Sequence, residues 1–326
     1  MILSRRSVLA ALPAALALLP PRPVRAAGAG ELVIHGPPGT SSVPLAHLVD
    51  SGRLAAQAPG TRFRVYASPD ELRAGFASGQ WSVAQAPSYV AANMYNRGLK
   101  VRLVNVMTSG QLYVMSRDPA IRRFDDLKGR TVGQFFRNDM PDLVFQYIAR
   151  KRGLDPARDM TVHYGATPME AAQLLLAGKV EAAVLSEPAA TSARMMGLQA
   201  GTAIHRAIDL QAAWAEATGQ GPVLAQAGLM VSAELAERRP ELIEALRDGC
   251  RSSAEWVRAN PASAARMAED YMGLKAPAIE QAIPHSNLGA PSAREARPDL
   301  ERLFKALAEL SPAILGGRLP DDGFYL

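Results

Sequence analysis

The chain has 326 residues with 48% hydrophobic content, the profile of a globular protein with a sizeable core and room for two domains. Its formal charge of +5 is concentrated at the start: residues 1–26 hold Arg5, Arg6, Arg22 and Arg25 and no acid, which leaves the rest near +1 and without the clustered basic face that nucleic acid requires. Cys250 is the only cysteine, so no disulfide forms within the chain and no cysteine stands ready for a lipid anchor near the start.

Residues 1–26 read as a secretory signal, with a basic start, an apolar stretch from Val8 to Leu19 and small residues up to Ala26. The stretch is too short to span a bilayer, and Pro13 interrupts it. Ser4-Arg5-Arg6-Ser7-Val8-Leu9 resembles a twin-arginine motif, with Val8 where Phe is favoured. An ordinary Sec signal with adjacent arginines is the alternative. Either exports the chain, with cleavage expected near Ala26 and the periplasm as destination.

Glu31 to His35 predicts a strand, and GPPGTSS leads into a helix over 43–50. Phe63 to Ala67 alternates as a strand. A helix from Pro69, a strand from Trp81 and a helix over 88–96 follow. Arg102 to Met107 and Leu112 to Ser116 read as strands on either side of Ser109-Gly110. Arg130 to Phe135 is a strand, and Arg137-Asn138-Asp139 is a polar loop before a helix from Met140 to Arg152. Thr161 to Tyr164 is a strand before a second helix and strand, and a helix follows Glu187-Pro188. Residues 201–225 show little regularity. Gln226 to Ser232 is a strand that returns the chain. Helices are expected over 240–259, 261–271, 277–282 and 298–310. The last residues, GGRLPDDGFYL, read as a tail on the surface.

One pattern occurs twice. Residues 68–84 read SPDELRAGFASGQWSVA, and residues 167–183 read TPMEAAQLLLAGKVEAA. Ser68 or Thr167 is an N-cap, proline takes the first helical position, and Glu71 or Glu170 closes a capping box. Gly79 or Gly178 stops the helix before a short apolar strand. Strands alternating with helices predict an α/β chain with mostly parallel sheets flanked by helices. The repeat predicts two similar lobes facing a cleft: lobe I from 31–110 and 226–326, lobe II from 111–225.

The catalytic motifs G-x-x-x-x-G-K-[ST], strand-linked G-x-G-x-x-G, H-E-x-x-H and G-x-S-x-G are absent. The five histidines lack metal-ligand spacing. No catalytic residue, metal or cofactor is expected.

The order of elements resembles the type II periplasmic binding proteins, and among them the nitrate/sulfonate/taurine branch of solute-binding proteins of ABC importers. The resemblance is carried by SPDELRAGFASGQWSVAQAP, by DDLKGRTVGQFFRNDMPDLVFQYIARKRGLDP, by TPMEAAQLLLAGKVEAAVLSEP, and by the stretch from ERRPELIEALRDG to GGRLPDDGFYL. It implies two α/β lobes, a two-strand hinge, a monomer, and partners in a membrane permease and its ATPase. A sensor docking to a membrane receptor fits the same residues. A pyrimidine-synthase-like enzyme on the same fold is disfavoured, because those enzymes use a cysteine-rich iron motif.

Open α/β sheets bind ligands beyond the carboxyl ends of their strands, where helix N-termini offer free N–H groups. That selects Gly39, Thr40, Ser41, Ser42, Ser68, Pro87, Ser88 and Tyr89 in lobe I. In lobe II it selects Arg137, Asn138, Asp139, Thr167 and Glu187. Arg137 is suited to clamp an anion through two hydrogen bonds, or to pair on the surface with Asp139 or Asp142. Glu187 suits a ligand amine, or a hinge or capping role. The hydroxyls of Ser68 and Thr167 are engaged as caps. Trp81 and Trp214 suit core packing more than ligand stacking. Alkyl or aryl sulfonates, a taurine-like zwitterion, nitrate and a thiamine-type pyrimidine all stay open as ligands.

Overall fold

The computed structural model describes residues 31–326, and the expected signal segment lies outside them. The first half of the fold runs β1 (Val33–Gly36), α1 (Val43–Asp50), β2 (Arg62–Val65), α2 (Pro69–Ala77), β3 (Val83–Pro87), α3 (Ser88–Asn96) and β4 (Val101–Leu103). The chain then builds β5 (Leu112–Ser116), β6 (Thr131–Phe135), α4 (Met140–Lys151), α5 (Pro156–Asp159), β7 (Thr161–Gly165), α6 (Pro168–Leu176), β8 (Ala182–Ser186), α7 (Ala189–Gln199), β9 (His205–Asp209) and α8 (Leu210–Thr218). It returns through β10 (Ala227–Ser232) to α9 (Ala233–Arg238), α10 (Pro240–Ala259), α11 (Pro261–Met272), α12 (Ala276–Ala282) and α13 (Arg297–Leu310).

Two five-stranded sheets result, ordered β2-β1-β3-β10-β4 and β7-β6-β8-β5-β9. Their topologies match strand for strand. In each, the first three strands are parallel and a fourth runs antiparallel. That fourth strand, β10 or β5, is the one that has just crossed from the other lobe. The crossing segments hydrogen-bond each other, Leu224 N–H to Ser109 O at 2.9 Å and Met107 N–H to Ala227 O at 2.7 Å. A third segment lies along them: Ser109 N–H donates to Asn287 O at 3.0 Å, and Ala293 N–H to Val104 O at 2.9 Å.

The repeated units fold alike. Ser68 Oγ accepts Glu71 N–H at 3.2 Å, and Thr167 Oγ1 accepts Glu170 N–H at 3.1 Å. The glutamates reach one residue further back than a capping box requires, to Ala67 N–H at 2.7 Å and Ala166 N–H at 2.8 Å. Gly79 and Gly178 follow the helices at φ 72° and 68°, a left-handed conformation that glycine adopts at least cost. Each helix buries an i, i+4 stripe against its sheet, Leu72 with Phe76 and Ala171 with Leu175. Trp81 stacks on His35 at 3.7 Å and covers Gly75, where a Cβ would lie 2.2 Å from the indole. Trp214 is fully buried. Both tryptophans are packing residues here.

Three expectations need correction. Residues 201–225 contain β9 and α8. β9 is an edge strand with mixed exposure and no clean alternation, which hides its period. The helix after it was marked by Asp209, which caps Gln211 and Ala212, and by Gly219 at its end. The strand expected over 102–107 stops at Leu103: Val104 N–H and Met107 N–H still reach Leu229 O and Ala227 O, but Val106 N–H turns to Pro291 O of the third crossing segment and breaks the ladder. The tail is woven into lobe I: Phe324 and Tyr325 are buried, and Leu326 N–H donates to Leu103 O at 2.9 Å.

Among the described residues no helix is long and apolar enough to cross a membrane, and no cluster of His, Cys, Asp and Glu is arranged to hold a metal.

Candidate functional site

The carboxyl ends of the parallel strands carry the predicted loops. Gly39 opens a 3-10 turn over Thr40–Ser42 that runs straight into α1. All four residues are buried. Gln85, in the middle of β3, holds this turn: its Nε2 donates to Ser41 Oγ at 2.8 Å, and Ser42 Oγ donates to its Oε1. Thr40 Oγ1 donates to Gln111 Oε1 at 3.0 Å and accepts from Ser286 Oγ at 2.8 Å. Gln111 N–H donates to Gln226 Oε1 at 3.2 Å. Ser88, after Pro87, donates its hydroxyl to Ala225 O at 2.5 Å and its N–H to Gln226 O at 3.0 Å. Thr40, Ser41, Ser42 and Ser88 therefore converge where lobe I meets the crossing segments.

Tyr89 joins the lobes. Its buried hydroxyl lies near Asp139 of lobe II, and burial first, then that carboxylate, holds the phenol well above its ordinary pKa. Asp139 also caps α4, accepting Met140 N–H at 2.6 Å. Asp142 is buried and accepts Asn138 N–H at 2.8 Å and Tyr164 O–H at 3.2 Å. Phe136 and Asn138 hold left-handed backbone at φ 51° and 61°. Such strain in non-glycine residues gathers at ligand clamps and active sites. Arg137 is exposed and lies over the Tyr164 ring at 5.2 Å. It makes no ion pair among the described residues, with Asp139 and Asp142 engaged elsewhere.

Glu187 is enclosed. Its carboxylate accepts from Arg206, including Nε at 3.1 Å, and from Thr191 N–H at 3.1 Å at the start of α7. Arg206 also donates to Thr191 Oγ1 at 2.6 Å and lies over the Tyr113 ring. Of its two expected uses, the carboxylate occupies the capping one. Ser68 and Thr167 sit apart from this network, at the starts of α2 and α6.

A difference between the lobes emerges. The N-termini of α4 and α7 are covered by carboxylates from Asp139, Asp142 and Glu187. The Thr40–Ser42 turn leading into α1, and the start of α3 at Ser88, have no side-chain cap. A helix N-terminus carries about half a positive charge, so lobe I offers the free anion-attracting ends. The glutamines Gln85, Gln111 and Gln226 were not singled out in the sequence. A lone glutamine inside an apolar strand such as WSVAQA was the available signal.

Three histidines bear on pH. Burial holds His35, His47 and His285 below their ordinary pKa, helped at His47 by Arg53 and at His285 by Arg206. The unfolded chain then binds protons more readily than the folded one below about pH 6.5, so stability falls as pH drops. The unfolding free energy should be flat above pH 7 and decline from 6.5 to 5.5, with a slope of at most ~1.4 kcal/mol per pH unit for each histidine, and the melting temperature should fall with it. A melting series across that window, with His47→Asn as comparison, checks it; a flat profile refutes it.

The fold is shared with solved transport proteins. An ABC transporter from Parabacteroides distasonis superposes with TM-score 0.78 at 24% identity, over 90% of this chain and 97% of that one. The periplasmic aliphatic sulphonate binding protein SsuA from Escherichia coli gives 0.68 at 15% identity, over 89% and 92%. The alkanesulfonate-binding protein SsuA from Xanthomonas axonopodis pv. citri, bound to MOPS, gives 0.60 at 16% identity, over 89% and 94%. No curated protein sequence matches the chain. The family model of the NMT1-like family matches residues 66–271. The chain belongs to the NMT1-like family and has the two-lobed type II periplasmic binding protein fold.

Proposed function

We propose that this protein is the exported, periplasmic substrate-binding component of an ABC importer. It captures a small organic anion between its lobes and passes it to a membrane permease powered by an ATPase. Lobe I comprises residues 31–110 and 226–326, and lobe II residues 111–225, a division that the membership of the two sheets supports. The observation that carries the reading is the contrast in helix ends. The Thr40–Ser42 turn and the start of α3 lack side-chain caps, while in lobe II carboxylates cover the starts of α4 and α7.

The anionic group of the solute sits on lobe I, against Gly39, Thr40, Ser41, Ser42, Pro87, Ser88 and Tyr89. Arg137, Asn138 and Asp139 close from lobe II, with Arg137 as the mobile cation at the rim. Ser68 and Thr167 contribute only through backbone near their caps, and Glu187 shapes the wall through Arg206. The sulfonate-binding proteins that share this fold support an organic sulfonate or carboxylate over a bare inorganic ion.

A thermal-shift panel of alkyl and aryl sulfonates, carboxylates, taurine and nitrate tests this. A true ligand at 100 times its dissociation constant should add about 2.7 kcal/mol to stability. A panel in which no anion moves the midpoint overturns the reading.

A further inference from the structure

The two lobe crossings end in matching glutamines. Gln111 immediately precedes β5, and Gln226 immediately precedes β10, the antiparallel fourth strands of their sheets. Leu112 of β5 pairs with Ser186, the last residue of β8, and Ala227 of β10 pairs with Pro87, the last residue of β3. One step further along, Gln111 O accepts Glu187 N–H at 3.0 Å and Gln226 O accepts Ser88 N–H at 3.0 Å. Each glutamine therefore stands at the carboxyl end of the middle strand of its sheet, where ligands of open α/β sheets bind. The internal repeat of the fold relates one position to the other.

The two side chains are tied to each other and to lobe I. Gln226 Oε1 accepts Gln111 N–H at 3.2 Å, and Gln111 Oε1 accepts Thr40 O–H at 3.0 Å from the turn after β1. These bonds settle which end of each amide is nitrogen. Gln226 N–H donates to Thr108 O at 3.3 Å. Every polar atom of both residues is then engaged except the two Nε2 groups, which have no hydrogen-bond partner among the described residues. The residues keep 9% and 8% of their surface, and neither Nε2 is among the unpaired groups sealed from water. Two open amide donors thus stand between Thr40 and Ser88 of lobe I and Glu187 of lobe II.

We propose that Nε2 of Gln111 and Nε2 of Gln226 are paired ligand donors at the floor of the cleft, holding two oxygens of the solute's sulfonate or carboxylate beside the starts of α1 and α3. The inference rests on the anion-binding reading above. Glu187 does not compete for these donors, because its carboxylate is taken by Arg206 and Thr191 N–H. An amide carries no charge, so the anion is held here by hydrogen bonds to neutral groups and by the helix ends. One donor comes from each crossing, so the bound anion also links the two segments that join the lobes.

Calorimetric titration of methanesulfonate, benzenesulfonate and benzoate into the protein lacking residues 1–26 is the test. Gln111→Met and Gln226→Met remove a donor at similar volume and add no charge. Each should weaken the probe that the wild type binds best by about 10-fold or more, the effect of losing a hydrogen bond to a charged group. Gln111→Glu and Gln226→Glu keep the acceptor oxygen for Thr40 O–H or Gln111 N–H, should weaken binding further, and stand in for a methionine variant that does not fold. In nitrogen–proton correlation spectra of the wild type, the side-chain amide signals of both glutamines, assigned by their absence from the variants, should move downfield as the probe is added. Folded variants that bind within about 2-fold of the wild type, or amide signals that stay in place, overturn the inference alone. Wild type that binds none of the three probes overturns the anion reading and this inference together.

Discussion

Replacing Glu187 with alanine should destabilise the protein by about 3–5 kcal/mol, the range for removing one partner of a buried ion pair. The carboxylate has no exposed side-chain surface, and Arg206 has 14%. Without Glu187 the guanidinium keeps its charge in a nearly dry site, where the Tyr113 ring and Thr191 Oγ1 are its remaining neighbours. Thr191 N–H loses its acceptor at the same moment, so the first turn of α7 loosens. The double variant Glu187→Met with Arg206→Met should recover much of the loss, because replacing both charges with apolar groups removes the unpaired ion. Urea unfolding of the two variants checks both statements. A loss under about 1 kcal/mol for Glu187→Ala would mean that water reaches Arg206 freely. Tyr113, whose ring lies beneath Arg206, also donates its O–H to His285 O at 2.8 Å, which ties β5 to the segment before the third crossing.

The second large effect is expected at Gly228. A Cβ placed there would stand 1.9 Å from Asn105 O and 3.0 Å from Leu103 Cδ1. The obstacle is backbone, which cannot swing aside as a side-chain tip does. Asn105 is also anchored, its Oδ1 accepting Leu229 N–H at 3.0 Å. Gly228→Ala must therefore push β10 off the crossing segment, at a cost of about 3 kcal/mol or more. Gly289→Ala, whose Cβ would meet only Pro291 Cδ at 3.6 Å, is the control and should change stability by less than about 1 kcal/mol. Denaturant midpoints for the pair decide the matter. Equal midpoints would show that β10 does not pack on Asn105 this closely. Because β10 and Asn105 belong to the hinge, the alanine variant should also bind solute more weakly than its residual stability alone predicts.

Much of the fold was legible in the residues themselves. The capping residues Ser68 and Thr167, the prolines after them and the glycines that follow act within a turn or two of chain. Local chemistry is enough to place them, and the helices over 43–50, 88–96 and 240–259 fell where they were expected. β9 was illegible because an edge strand half in water need not alternate. The C-terminal tail was illegible because its partners, Leu103 and the helix α3 region, lie more than two hundred residues away in sequence.

The candidate site divides in the same way. Its loops were legible from the rule that ligands lie beyond strand ends. The roles of its charges were not. Glu187 and Arg206 stand 19 residues apart with nothing in the spacing to join them. Arg137 rests on Tyr164, a strand away, rather than on the acids beside it in sequence.

The sequence by itself determined the two similar α/β units and most of their helix boundaries, because capping, turn and period signals are short-range and need no partner. Only the tertiary structure decided which helix ends lack a side-chain cap and which carboxylates are already engaged. Those facts depend on which distant groups become neighbours, and burial makes each unmatched hydrogen bond or charge cost energy that no local pattern reveals.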